Sequence, residues 1–540
     1  MGQFDGRRLS PVRLVILLAL VAGIVFASLR GWTWFQETRA DTSATATGFA
    51  GYADVTATPQ FAFETPANKA SRDAVLAFVV SDPTHPCQPS WGGAYSLDQA
   101  GQQLDLDRRI ARLQQAGGAA IVSFGGQANH DLAVGCTDQT QLYDAYASVV
   151  SRYHLSAIDL DIEGDTLTDE LATQRRAAAI AKLQRAHHLE VWLTLPVART
   201  GLTDDGQRAV AQTLAAGVDL AGVNVMTMDY GDVPSNETMG EAAEQALNAA
   251  HGQVRALYLD AGERLTSVET WQRLGATVMI GQNDVAGEVF DLVDARRVRS
   301  FATAHRLGRL SMWSLNRDRP CGANYPDVTI VSNDCSGVTQ ETGAFAKTLG
   351  STAGGGVAPI MPPTHAATPS VNPTVTPSDD PATSPYPIWQ PDEVYVVGTR
   401  VVWHRNVYVA KWWTSGDVPD DPLHSGEATP WRLIGPVLPG ESPRPSPTLP
   451  AGTFSDWQID KVYTAGDRVM FEGHPFEAQW WTKGESPATP GTAGAPSPWL
   501  PLTAQQIQQI LTGKAPADPK ASQGPKPTTS AKASRGAAKR

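Results

Sequence analysis

Between Gly48 and Gly350 one pattern recurs eight times: a short apolar run with strand character, then a longer Ala-rich stretch with helical spacing. The runs are Gly51 to Thr56, Ala74 to Val80, Ala119 to Phe124, Ala157 to Ile162, Val191 to Leu195, Gly222 to Thr227, Thr277 to Ile280 and Leu310 to Trp313. Helical patterns such as Asp165 to His188 and Gly240 to His251 lie between them. Strands joined by helices pair in parallel, because each helix carries the chain back to its starting edge. Eight such units predict an α/β fold, a (β/α)8 TIM barrel, over residues 48–350. An open doubly wound sheet is the alternative that composition leaves standing.

The fourth run carries the chemistry. Ser156-Ala157-Ile158-Asp159-Leu160-Asp161-Ile162-Glu163 places three acids at alternate positions, interleaved with Ile158, Leu160 and Ile162. Alternate residues of a strand share a face, so three apolar side chains pack on one side while three carboxylates line up on the other. Like charges about 7 Å apart repel, and burial raises carboxyl pKa values, so at least one acid is expected to hold a proton near neutrality. A protonated carboxyl beside ionised ones is what glycoside cleavage needs. An ordinary strand with a wet polar face seldom carries only Asp and Glu there.

This segment resembles the DxxDxDxE signature of glycoside hydrolase family 18, the chitinase family, with Asp159, Asp161 and Glu163 matching and Ser156 in place of the first Asp. Ser123-Phe124-Gly125-Gly126, ending the third run, is similar to the family's SxGG motif. At the end of the sixth run, Met226 to Tyr230 resembles its MxYD segment; Met228 stands where the family has Tyr, Asp229 matches, and Tyr230 follows as a shifted source of the hydroxyl. Trp313 stands where the family keeps a Trp beneath the sugar, and Gln282, Asn283 and Asp284 end the seventh run as possible hydrogen-bonding groups for substrate. The resemblance implies that Glu163 protonates the leaving oxygen, that Asp161 orients the substrate's own attacking acetamido group, and that Asp159 modulates Asp161, with the anomeric configuration retained. Tyr230 and Asp229 complete the expected catalytic set, with Ser123, Gly125, Gly126, Met226, Met228, Gln282 and Trp313 binding substrate. Only about 25 residues separate the seventh and eighth runs, so the extra domain that walls the cleft in some family members is not expected, and an open groove suited to internal cleavage is.

Downstream, thirteen residues from Trp389 to Trp431 recur from Trp457 to Trp499 at one constant offset of 68. A set of matches at one offset marks a duplication. Each unit is short, alternates with period two and is rich in tryptophan, which predicts two small all-β modules at 388–435 and 455–512. They resemble carbohydrate-binding modules of family 5/12, whose AxWWTxG stretch is read at Ala410 to Gly416 and Ala478 to Gly484. Adjacent strand residues face opposite ways, so one Trp of each pair, Trp412 or Trp413 and Trp480 or Trp481, is expected inside and the other exposed. The resemblance implies that Tyr395, Trp412, Trp413, Trp431, Tyr463, Trp480, Trp481 and Trp499 serve the chitin-binding modules. Flat rings stack on the apolar faces of sugars. Residues 351–387 and 436–454, rich in Pro, Ser, Thr and Gly, read as linkers, and 513–540 as a disordered basic tail.

Both ends are basic while the whole chain carries −12, leaving about −21 on the body. Such a surface repels nucleic acid and suits a neutral polymer. Leu14 to Leu29 is an apolar run after basic residues, with Val25-Phe26-Ala27 as a cleavage site, and reads within 1–47 as an export signal. Trp32, Trp34 and Phe35 beyond it would suit retention as a membrane anchor, so secretion and anchoring to the outer face of the membrane both stay open. Four cysteines in an exported chain favour two disulfides, and chain order suggests Cys87 with Cys136 and Cys321 with Cys335. No CxxC pattern or His cluster supports zinc, so neither metal nor cofactor is expected. The expectation is an exported, monomeric chitinase acting on N-acetylglucosamine polymers. An endo-β-N-acetylglucosaminidase and a catalytically weak chitin-binding protein are the alternatives.

Overall fold

The computed structural model describes residues 47–66, 72–323, 325, 327–351, 378–421, 429–444, 449–450, 452–487, 497–502 and 504–512. The expected export signal, most of the first linker and the basic tail lie outside these residues. Among the described residues no helix is long and apolar enough to cross a membrane. The chain divides near Val371 into two compact units.

In the first unit the strands are β1 (Gly48–Phe49), β2 (Gly51–Asp54), β3 (Ala74–Ser81), β4 (Pro89–Trp91), β5 (Tyr95–Ser96), β6 (Ala120–Gly125), β7 (Ala157–Asp161), β8 (Glu190–Ala198), β9 (Gly201–Leu202), β10 (Leu220–Thr227), β11 (Leu274–Met279), β12 (Gly281–Gln282), β13 (Val289–Phe290) and β14 (Arg309–Trp313). Every one of the eight expected runs contains a strand. The main sheet runs β14-β11-β10-β8-β7-β6-β3, and each neighbouring pair in that order is parallel. At its two ends, β1 pairs in parallel with β14 and β2 with β3, although only Ala50 separates β1 from β2. One N-terminal segment therefore meets both the first and the last strand of the series.

Helices return the chain between strands as the apolar spacing requires. Asp169 breaks the predicted Asp165–His188 helix: its side chain accepts from the Ala172 N–H and caps the longer piece, Glu170–His187, which His188 ends in a left-handed conformation. The helix Met239–Asp260 starts from a reciprocal cap between Thr238 and Glu241. The two disulfides join Cys87 to Cys136 and Cys321 to Cys335, the pairing that chain order suggested.

In the second unit two similar assemblies follow one another. β15 (Val394–Tyr395) pairs with β18 (Thr414–Ser415), and β16 (Arg400–Trp403), β17 (Asn406–Ala410) and β19 (Trp431–Pro436) form a three-stranded antiparallel sheet. The same arrangement is repeated by β20 (Val462–Tyr463) with β23 (Thr482–Lys483), and by β21 (Arg468–Phe471), β22 (His474–Ala478) and β24 (Trp499–Pro501). The first assembly starts earlier than composition indicated. Tyr386 packs on Val402, Val407, Val409 and Ile434, and Asp379 accepts from the His404 and Arg405 N–H groups, so residues 378–387 are part of it rather than linker.

Candidate active site

The parallel register aligns the carboxyl ends of the strands. Gly125 stands opposite Asp161, Asp161 opposite Thr194, and Met279 opposite Trp313. Residues at these ends converge from seven segments of sequence, while the strand interiors beneath them hold a buried polar layer.

Asp159 is the centre of that layer and is fully buried. Its Oδ2 accepts from Tyr52 Oη at 2.9 Å and Ser123 Oγ at 2.8 Å, and its Oδ1 from Thr194 Oγ1 at 2.7 Å and Arg309 Nη2 at 2.7 Å. Asn224 extends the layer by donating to Thr194 at 3.0 Å and Thr277 at 2.7 Å. Buried charge is tolerated where it is paired and hydrogen-bonded, and the Arg309–Asp159 ion pair meets both conditions. Asp159 is thus locked in place. Ser123 belongs to this lock: expected to bind substrate, it is wholly buried and holds Asp159 instead.

Asp161 lies one pleat further along, also buried, and its Oδ1 has no hydrogen-bond partner among the described residues. Burial, then Glu163, then Asp159 hold its carboxyl well above the usual carboxylate range. Glu163 follows at the rim, half-buried; burial first, and then Asp229 and Asp284, raise it to about 7. The strand's expected protonation near neutrality therefore falls on its last two acids.

The glycine pair explains how β6 and β7 come so close. Gly125 has φ 109°, and a Cβ there would lie 2.0 Å from the Asp161 carbonyl oxygen, while the Gly126 N–H donates to that same oxygen at 3.0 Å. A side chain at 125 would separate the two strand ends. Trp313 stacks on Phe78 at 5.5 Å and 22°, with Tyr52 tilted against it at 6.1 Å. This aromatic cluster meets the acidic strand through Tyr52, which donates to Asp159.

Asp229 has φ 51°, and its Oδ1 accepts from the Val285 N–H at 3.1 Å. Burial raises its carboxyl, against that hydrogen bond. Met226 and Met228 are half-buried beside it. Gln282 and Asp284 lie at the end of the β12 segment, where Asn283 is buried and its amide is occupied by the Met279 and Gly281 carbonyls at 2.9 and 3.2 Å. Burial first, and then Glu288, Arg199 and Asp232, act on the Tyr230 phenol, and its N–H donates to Glu288 at 2.9 Å. Its hydroxyl is buried and has no hydrogen-bond partner among the described residues. A cavity of about 500 Å³ opens between residues 231–239 and 285–294, and none of the three strand acids lines it.

Sequence reasoning did not single out Tyr52, Phe78, Thr194, Arg309 or Arg317. Nothing around Arg309 in the sequence marks it; only its convergence with Asp159 reveals an interior charge. Among the described residues no group of His, Cys, Asp and Glu has metal-binding geometry.

In the second unit, Tyr395 with Trp431 and Tyr463 with Trp499 are core pairs, in edge-to-face contact at 5.2 and 5.0 Å. These four rings build the assemblies and are not available as a sugar platform. Trp480 and Trp481 are both exposed, 42% and 63%. The expected alternation fails because the pair lies in the bend between β22 and β23 rather than in a strand. Trp412 and Trp413 are both half-buried, and Lys411 Nζ lies 4.6 Å over the Trp412 ring.

Residues 456–500 match carbohydrate-binding module family 5/12. Over 278 residues the chain is 36% identical to the probable bifunctional chitinase/lysozyme of Escherichia coli (strain K12), covering 49% of this chain and 29% of that protein. Over 258 residues it is 36% identical to endochitinase 11 of Metarhizium anisopliae, covering 45% of this chain and 47% of that protein. The chain thus spans less than half the length of these curated relatives. Among solved structures, it is similar to the catalytic domain of a hyperthermophilic chitinase from Pyrococcus furiosus, with 26% identity, 57% of this chain and 94% of that one covered, and a TM-score of 0.49.

Proposed function

We propose that the first unit is a closed (β/α)8 barrel of glycoside hydrolase family 18 type and that the protein is an exported chitinase cleaving β-1,4 links between N-acetylglucosamine units. The observation that carries this reading is the graded row of acids: Asp159 locked by four hydrogen bonds, Asp161 buried with a free Oδ1, and Glu163 raised to about 7 at the rim. The 36% identity to proteins named as chitinases supports it. Segment 48–54, pairing at both ends of the strand series, supports closure.

Below its midpoint Glu163 keeps a proton and gives it to the glycosidic oxygen as the bond to the leaving sugar breaks. The acetamido carbonyl oxygen of the substrate attacks the anomeric carbon from the opposite face, and Asp161 accepts from the acetamido N–H through its free oxygen. Water then opens the cyclic intermediate, Glu163 taking its proton, and configuration is retained. Trp313, backed by Phe78, supplies an apolar ring for the sugar above it. The second unit holds two chitin-binding modules of family 5/12 type, presenting Trp480 and Trp481 in one and Trp412 and Trp413 in the other.

Digestion of a soluble chito-oligosaccharide and of an N-glycoprotein side by side, with products identified by mass, tests the reading. We expect chito-oligosaccharide cleavage that falls by at least about 10²-fold in Glu163→Gln, the scale of general acid catalysis. Release of glycans from the glycoprotein alone makes the protein an endo-β-N-acetylglucosaminidase, and turnover unchanged in Glu163→Gln removes the assignment.

A further inference from the structure

We propose that Arg317 is a positioning residue for this reaction: its buried guanidinium anchors the turn that supports Asp229 and supplies the positive charge balancing the acids that face Glu163. The inference rests on the chitinase reading and deepens it. Arg317 ends the short turn Leu315–Arg317 just after Trp313 and is 0% exposed. Its Nη2 donates to the Gln282 carbonyl, whereas Nε and Nη1 have no hydrogen-bond partner among the described residues. Leaving two donors of a buried cation unpaired is unfavourable, so a charge so placed needs a compensating role.

Both compensations are visible. The Gln282 carbonyl that Arg317 holds belongs to the turn whose next residues frame Asp229: Asn283 Oδ1 accepts from the Asp229 N–H at 3.4 Å, and the Val285 N–H donates to Asp229 Oδ1 at 3.1 Å. On its other side the Gln282 N–H donates to the Ser336 carbonyl at 2.8 Å. The charges facing Arg317 are Asp284 and Asp229, with the Tyr325 phenol; burial brings the guanidinium down to about 10, so it stays a cation at neutral pH. Those same two acids act on Glu163. Behind Glu163, Asp161 faces Asp159, Arg309 and Asp131. Without Arg317, Asp229 and Asp284 lose the guanidinium that faces them both.

The test uses the full chain as wild type, Arg317→Gln and Arg317→Lys. The Glu163 carboxyl is titrated by ¹³C NMR, its signal assigned by loss in Glu163→Gln, and the alkaline limb of kcat is followed on a soluble chito-oligosaccharide. Arg317→Gln should move both upward by about one pH unit, about tenfold more acid form at a given alkaline pH. Arg317→Lys, whose buried ammonium gives up its proton more readily than a guanidinium, should fall between the two. Equal midpoints in all three proteins, or a downward shift in Arg317→Gln, overturn the proposal. If Arg317→Gln does not fold, Arg317→Gln/Asp284→Asn takes its place: a midpoint near wild type supports charge balance, and one equal to that of Asp284→Asn alone overturns it. A wild type unable to cleave the oligosaccharide sinks the chitinase reading, while the carboxyl titration still decides the role of Arg317.

Discussion

Glu163 occupies a strand-end position where its charge is a cost to the fold. Its ordinary value is 4.5 and its folded value about 7. Between these the folded state binds more protons than the unfolded one, so this group's contribution to stability is fully present below about 4.5 and is lost as pH rises through 7. Glu163→Gln should therefore be more stable than wild type at pH 8, by up to about 3 kcal/mol, with no such gain at pH 4. Urea unfolding at both pH values checks the sign; an identical difference at the two would mean that ionisation of Glu163 is not what costs stability. In the proposed role of general acid, the same group should also set the alkaline limb of activity.

At the scale of elements, β7 shows how one strand can serve the core and carry the proposed catalytic acids. Ile158 and Leu160 pack in the main core while Asp159 and Asp161 point to the other side. In the second unit the bend between β22 and β23 does the opposite, turning two adjacent rings outward together. Replacing Trp480 and Trp481 by Ala should lower adsorption to chitin particles with little change in unfolding midpoint. Trp499→Ala, removing a ring 2% exposed, should cost about 3–5 kcal/mol. Depletion assays beside thermal unfolding separate the two effects; adsorption that survives loss of both exposed rings would rule them out as the platform.

For the molecule as a whole, two units with separate cores are expected to separate without loss of the chemistry. Residues 47–351 alone should fold and cleave soluble chito-oligosaccharides at wild-type rates while losing activity on insoluble chitin, because the modules supply local concentration rather than a catalytic group. Comparing initial rates on the two substrates decides it. An equal fall on both would mean that the second unit contributes to the active site.

The eight strands, the acidic row, the glycine pair and the duplication were legible in the chain because each is a local pattern: period two, helical spacing or a fixed offset records which face a residue occupies. The disulfide pairing followed from chain order in the same way. What residues on different strands do to one another was not legible. Ser123 reads as a substrate-binding residue until β6 and β7 pair and turn it onto Asp159, and nothing marks Arg309 until β14 carries it into the interior. Tyr230 and Asp229 are neighbours in sequence, yet the Tyr230 N–H donates to Glu288 while the Asp229 carboxylate accepts from Val285. Sequence determines faces within an element, whereas partners, burial and proton affinity depend on the sum of distances across elements, and those exist only once the sheet has brought the strand ends together.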